Sequence, residues 1–336
     1  MISHEITSTM IEAQLFGLGD LRLLESPVPP IGDCEVLVKV KACGICPTDL
    51  RKFTTPNYYP LEFPFNPGHE WTGDVVAVGA KVTRFRVGDR IAAEGMGGYS
   101  EYCKIDQHNL QYCVRLPDTV NYDEGTFTEP LADCIHAVVN RTQIRLGEKV
   151  VVLGAGAMGL QLIAVASLSG AEVLVSEPNS ARREMALKFG AASVIDPNAD
   201  DLGETVMSWT NGRRADACIV TIAEPKLMKE AVHLVGARGR VLLFGGGGKD
   251  LTTELDPNWI HYNEITLTGS EWIGVGRHAD PSLYEKAIRL IETGKVPVRL
   301  LITHRAALSE VHDAYERIRG GRELKVILSP EKELTR

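Results

Sequence analysis

From Lys149 onward the chain follows an alternation that only one kind of sheet can use. "KVVVLG" is a short, almost fully apolar run, "GLQLIAVASLSG" has helical spacing, "EVLVSE" is apolar again, "SARREMALKFG" is helical again and "ASVID" is a third apolar run. Short strands apolar on both faces and separated by helices belong to a parallel sheet covered on both sides. The rhythm continues through "ADACIVT", "KLMKEAVHLVGARG", "RVLLFGG" and "ITLTGS", so a doubly wound domain is expected over residues 131–273.

The first turn of that domain carries chemistry. Gly154, Gly156 and Gly159 fit G-x-G-x-x-G directly after a strand and at the opening of a helix. The first glycine allows a tight turn, the second lets backbone approach a pyrophosphate, and the helix start at Ala157 and Met158 offers free N–H groups and the positive end of a dipole. A glycine-rich turn can also be purely structural. Glu177 argues otherwise, because it stands at the end of the second strand, about 20 residues beyond the glycines, where an acidic side chain accepts hydrogen bonds from the adenosine ribose. A carboxylate there would repel a 2′-phosphate, so NAD is expected over NADP. Arg182 and Arg183 lie just beyond and could meet that phosphate or simply be solvated.

Before residue 131 the texture differs. "CEVLVKVKAC", "GDVVAVGAKV" and "YSEYCKI" are short alternating segments separated by Gly, Pro and Asp, as in a β-rich domain. After residue 273 come two amphipathic helices, "PSLYEKAIRLIETG" and "SEVHDAYERIRGG", and a closing strand "LKVILS". The domain division expected is therefore 1–130, 131–273 and 274–336. A formal net charge of -8 disfavours nucleic acid or an anionic membrane as partner. "MISHEITSTM" lacks a basic stretch followed by an apolar core, no run approaches membrane-spanning length, and seven cysteines are an odd number spread widely. These features predict a cytoplasmic protein with reduced thiols.

Cys43 and Cys46 form a C-x-x-C, half of a zinc site. No second C-x-x-C follows, so a closed four-cysteine site is not expected. Oxygen and nitrogen donors are available instead in "FNPGHEWTGDVVAVG", with His69 and Glu70, and in "TEPLADCIHAV", with Glu129. One thiolate, one imidazole and one or two carboxylates make an open, catalytic type of zinc site.

These segments carry a resemblance. "CGICPTDL", "PGHEWTGDVVAVG", "VGDRIAAEG", "TEPLADCIHAV" and "VVVLGAGAMGLQ" occur in the order and spacing of the zinc-dependent medium-chain alcohol dehydrogenases, and the likeness runs over nearly the whole chain. Within that superfamily it is most similar to the sorbitol, butanediol and threonine dehydrogenase branch. The resemblance implies an α/β protein with a GroES-like β-barrel catalytic domain, completed by the C-terminal tail, and a Rossmann dinucleotide-binding domain between. It implies catalytic zinc on Cys46, His69 and Glu70 or Glu129, with Cys43 a bystander. Thr48 then receives the substrate proton, Asp49 orients His69, and either glutamate can enter or leave the metal's surroundings. The implied reaction interconverts a secondary alcohol of polyol, sugar or cyclitol type and its ketone by hydride transfer with a nicotinamide, in a homodimer or homotetramer. A threonine-type amino alcohol, a zinc-free quinone or enoyl reductase and a non-catalytic cofactor-binding module are the alternatives.

The sequence departs from the family pattern in two places. The lobe with four closely spaced cysteines is missing from "VGDRIAAEGMGGYSEYCKI", so a single metal per chain and no structural zinc are expected. Arg51 stands where many relatives have a proton-passing histidine, and an arginine is no neutral base near pH 7. Arg51 and Lys52 could hold an anionic substrate, or be solvated. His136 is read as a helix-packing histidine, and Cys134 and Cys218 as small buried apolar groups. "NYYP" at 57–60 and Glu271, Trp272 and Arg277 are further candidates for lining the substrate site.

Overall fold

The apolar alternation of "VLVKVKACG" becomes the strand Val36–Gly44, which pairs antiparallel with Glu70–Val78 along one edge. Its other edge is shared: residues 36–39 pair with Tyr102–Ile105, and Cys43 and Gly44 pair with Leu328 and Ile327 of Lys325–Ser329. The computed structural model describes residues 6–56, 61–270 and 280–330; the expectations for 57–60 and for Glu271, Trp272 and Arg277 lie outside them. The order along this sheet is Ile302–Ala307, Lys325–Ser329, Val36–Gly44, Glu70–Val78, Arg90–Glu94 and Val114–Arg115, with Tyr102–Ile105 off that path beside Val36–Gly44. Segments distant in sequence thus share one sheet, over a core that includes Val38, Val40, Trp71, Ile91, Val326 and Leu328. A separate hairpin joins Thr9–Gly17 to Asp20–Pro27.

The second sheet is wholly parallel, in the order Ser193–Ile195, Glu172–Ser176, Lys149–Leu153, Ala215–Val220, Val235–Leu243 and Thr266–Gly269. The order reverses direction between Lys149–Leu153 and Ala215–Val220. Ligands of such sheets bind beyond the carboxyl ends of the strands at that reversal. The helix Ala157–Leu168 is buried along most of its length, which its apolar residues permit. Contacts divide the chain into two compact units, Met1–Pro130 with Gly274–Arg336, and Leu131–Ile273. No helix among the described residues is long and apolar enough to cross a membrane.

Two segments differ from the sequence pattern. The strand expected from Arg240 begins at Val235, because Ala215 pairs with Val235 and Ala217 with Arg240. Residues 236–239 make an excursion between those pairs, with Arg238 at φ 61° and no room for a side chain at Gly236, whose Cβ would lie 2.3 Å from the Arg213 carbonyl oxygen. The helical stretch "ADCIHAVVNR" is an α-helix only over Thr128–Ile135 and widens into a π-helical turn over His136–Arg141.

Candidate metal and dinucleotide sites

After the strand Val36–Gly44 the chain turns and Cys46 caps the helix Pro47–Thr54. Pro47 suits the first helical position, where no N–H is needed. The Thr48 N–H donates to the Cys46 sulfur at 3.5 Å, so the sulfur lies against the positive end of the helix. The Thr48 hydroxyl, two residues on, has no hydrogen-bond partner among the described residues.

His69 and Glu70 are delivered by a turn that only glycine can make. Gly68 has φ +89°, and a Cβ there would lie 2.4 Å from the Tyr99 ring. The strand Glu70–Val78 then begins at once. Ligand atoms of Cys46, His69 and Glu70 all fall within 4.8 Å of one another, a group of sulfur, nitrogen and oxygen donors suited to zinc. Glu129, buried at the start of Thr128–Ile135, stands outside this group. The structure therefore brings together three of the four expected ligands.

Behind the donors lies a buried acid–base pair. His69 Nδ1 is 3.4 Å from Asp49 Oδ1, an ion-pair contact looser than a good hydrogen bond, and the Tyr99 hydroxyl reaches Asp49 Oδ2 at 3.4 Å. Burial opposes ionisation of Asp49, but His69 and Lys52 outweigh it and hold the carboxyl below its ordinary value. Burial likewise opposes charge on His69, and Asp49 and Cys46 overcome it, lifting the imidazole well above its ordinary value. A ligating histidine is neutral, so a metal held here would displace that proton.

Glu70 is paired with Lys325, from the strand Lys325–Ser329; the two side chains are 1% and 2% exposed. Gly44 makes room for them, since a Cβ there would lie 2.6 Å from Glu70 Oε2 and 3.0 Å from Lys325 Cε. The ammonium also lies 5.6 Å over the Phe127 ring. Burial pulls the Lys325 pKa down, but Glu70, Cys46 and Glu129 raise it further, so the group stays charged.

In the parallel-sheet unit the three glycines have separable tasks. Gly154 has φ +100°, and its Cβ would meet Thr221 Oγ1 at 2.5 Å; a Cβ on Gly159 would lie 2.3 Å from the Gly154 carbonyl oxygen. Gly156 faces open space, with nothing within 4 Å of a Cβ, and it starts Ala157–Leu168 without a side-chain cap. The helix start at Ala157 and Met158 is thus open to an anion. Glu177 accepts from the Ala155 N–H at 2.8 Å and from the Asn179 N–H at 2.9 Å. It ties the glycine turn to the end of the second strand. Arg183 is occupied by the carbonyls of Glu177 and Pro178 and by Asp196, whereas the Arg182 guanidinium has no partner among the described residues.

Two family models match this chain: an alcohol dehydrogenase GroES-like domain over residues 32–143 and a zinc-binding dehydrogenase domain over 157–293. Sorbitol dehydrogenase of Bacillus subtilis (strain 168) is 30% identical over 362 residues, covering 98% of this chain and all of the relative. The chain belongs to the zinc-dependent medium-chain alcohol dehydrogenase family. L-threonine 3-dehydrogenase of Pyrococcus horikoshii is 31% identical, over 91% of this dehydrogenase and 94% of that one. A solved structure described as a zinc-binding dehydrogenase, from Sinorhizobium meliloti 1021 and bound to NADP, superposes with a TM-score of 0.87 at 27% identity, over 96% of this chain and all of that one. The protein is accordingly an oxidoreductase that interconverts an alcohol and a carbonyl compound with a nicotinamide dinucleotide.

Other residues of this dehydrogenase sort themselves by surroundings. Cys43 is wholly buried in the core, and burial pushes its thiol well up. Cys218 is also a core residue, and Cys134 donates to the Met158 carbonyl at 3.7 Å. His136 meets Asn140 one helical turn on, at 3.2 Å. Lys52 departs from the solvated reading: it is buried, with its ammonium 4.9 Å over the Phe65 ring. Lys325 and Tyr99 belong to none of the motifs that mark the site in the sequence. The signal for Lys325 was a lysine opening "KVILS", a run whose first four residues are all buried, where a charge needs a counter-ion.

Proposed function

We propose that this dehydrogenase oxidises a secondary alcohol of polyol, sugar or cyclitol type to its ketone, or runs the reverse reaction, with one zinc per chain and NAD. The observation that carries this reading is the group Cys46, His69 and Glu70, with Thr48 held next to it by its N–H on the Cys46 sulfur. The kinship with a sorbitol dehydrogenase supports a polyol. The kinship with a threonine dehydrogenase sustains an amino alcohol as the second reading.

Cys46, His69 and Glu70 would hold the metal, which supplies Lewis acidity toward the substrate oxygen while the nicotinamide supplies the hydride acceptor. Thr48 Oγ1 takes the substrate hydroxyl proton. Asp49, held by Tyr99 and by its helix, orients His69. Arg51 cannot act as the next base, so the proton continues through water, a cofactor hydroxyl or another group. Glu129 serves as a second buried carboxylate beside the metal site, close enough to act on Lys325.

Gly154, Gly156 and Gly159, with the helix start at Ala157 and Met158, cradle the pyrophosphate. The buried Glu177 carboxylate favours the free ribose hydroxyls of NAD, with Arg182 lying alongside. A single zinc is supported by the absence of cysteine from the connection between Gly95 and Glu101. Cytoplasmic homodimers or homotetramers complete the proposal.

Metal analysis of protein never exposed to chelator, paired with a nicotinamide absorbance screen of polyols, cyclitols and amino alcohols in both directions, tests it. One zinc per chain with NAD-linked polyol turnover supports the reading. Turnover only of amino alcohols selects the second reading. Absence of both zinc and turnover points to a zinc-free reductase or a binding protein.

A further inference from the structure

We propose that Lys325 is a positioning residue that confines Glu70 to one-oxygen approach to the metal. The inference rests on the metal-site reading above. A carboxylate can grip a cation through one oxygen or through both. Lys325 already holds Glu70 Oε2, so on this proposal only the other oxygen is left to an ion held with Cys46 and His69.

Lys325 is poorly placed to let go. Its strand is fastened to the metal-bearing segment by pairing of Ile327 with Gly44 and Leu328 with Cys43. The Ile45 N–H donates to the Val326 carbonyl at 3.0 Å. On the far side the pair lies so close to Gly44 that not even a methyl group fits. The Lys325 side chain is almost wholly buried and its ammonium lies over the Phe127 ring, so bulk water has little access to replace Glu70. Backbone pairing thus fixes the lysine, and the lysine fixes the carboxylate.

The chemical consequence is an open coordination position. Three single-atom donors leave a tetrahedral ion one place for an outside oxygen. A two-oxygen grip by Glu70 would fill that place or crowd it. Lys325 therefore keeps the site catalytic rather than closed, without touching substrate.

Cobalt(II) in place of zinc reads this directly, because its visible absorption is intense for four donors, intermediate for five and weak for six. Lys325→Met is expected to lose absorptivity relative to the parent, toward the lower intensity of five donors. Lys325→Arg, which keeps a cation on Oε2, is expected to restore much of the intensity. A lysine with a merely structural role would weaken metal retention and leave the spectrum of the bound fraction unchanged, and that result overturns the proposal. A parent protein that takes up no cobalt would instead overturn the metal-site reading. Should Lys325→Met fail to fold, a crystal structure of the zinc-loaded parent decides. Lys325 on one Glu70 oxygen and zinc on the other upholds the proposal, and both oxygens on zinc refutes it.

Discussion

Gly44 gives up its side chain so that Glu70 and Lys325 can meet. Adding one carbon in Gly44→Ala places a methyl 2.6 Å from Glu70 Oε2, and neither partner is a free-ended surface group that can swing aside. We expect a loss of about 1–3 kcal/mol in denaturant unfolding, the usual cost of overpacking; a midpoint equal to the parent's would show that the pair has slack. Tyr122 offers a pH test. Burial first, and then its hydrogen bond to Asp74, push the phenol up from 10.0 to about 12. A pKa raised on folding means stability present in full below pH 10 and lost as the pH rises toward 12. The stability gap between the parent and Tyr122→Phe should be constant below about pH 10 and shrink above it, as read from urea midpoints; a gap flat across that range contradicts the assignment. The candidate donors Cys43, Cys46, His69 and Glu70 stood out because their surroundings are local, a C-x-x-C spacing, a Pro-Gly turn and a strand start, while the choice of Cys46 over Cys43 came from the family resemblance. Lys325 did not stand out, since its partner is 255 positions away and a lone charge in a strand usually points to water.

At the start of the helix Ala157–Leu168, an open glycine and a tightly packed one stand three residues apart. Gly156→Ala meets nothing within 4 Å, whereas Gly159→Ala drives a methyl to 2.3 Å from the Gly154 carbonyl oxygen. The first variant should cost under about 1 kcal/mol as a changed helix cap yet weaken NAD binding about tenfold or more, or about 1.4 kcal/mol. The second should lower the melting temperature itself. Calorimetry and cofactor titration on both variants distinguish the two roles, and equal cofactor affinity in Gly156→Ala would remove the pyrophosphate from this turn. "KVVVLG" and "EVLVSE" could be read as Lys149–Leu153 and Glu172–Ser176, since burial on both faces leaves an unmixed apolar run. The excursion at 236–239 could not, because Arg238 at φ 61° is imposed by pairing with the neighbouring strand rather than by its own preference.

Across the whole molecule, a bound metal adds to stability by mass action. At a free concentration a hundred times its dissociation constant the gain is about 2.7 kcal/mol. Chelation should therefore lower the melting temperature by several degrees, reversibly on returning zinc; an unchanged melting curve would mean that the three donors hold nothing. The two-unit plan was visible from the change of texture near residue 131. The completion of the first sheet by a distant strand was carried by resemblance, because pattern alone assigns "LKVILS" to no particular neighbour. That late strand has a consequence for synthesis. Residues arrive in order at the ribosome, so the donors at 46, 69 and 70 emerge before the entire parallel-sheet unit, and Lys325 emerges after it. Until then Glu70 would be a buried charge without its cation, and the early segment has reason to stay open. The nascent chain can finish its dinucleotide-binding half first and close its metal pocket last.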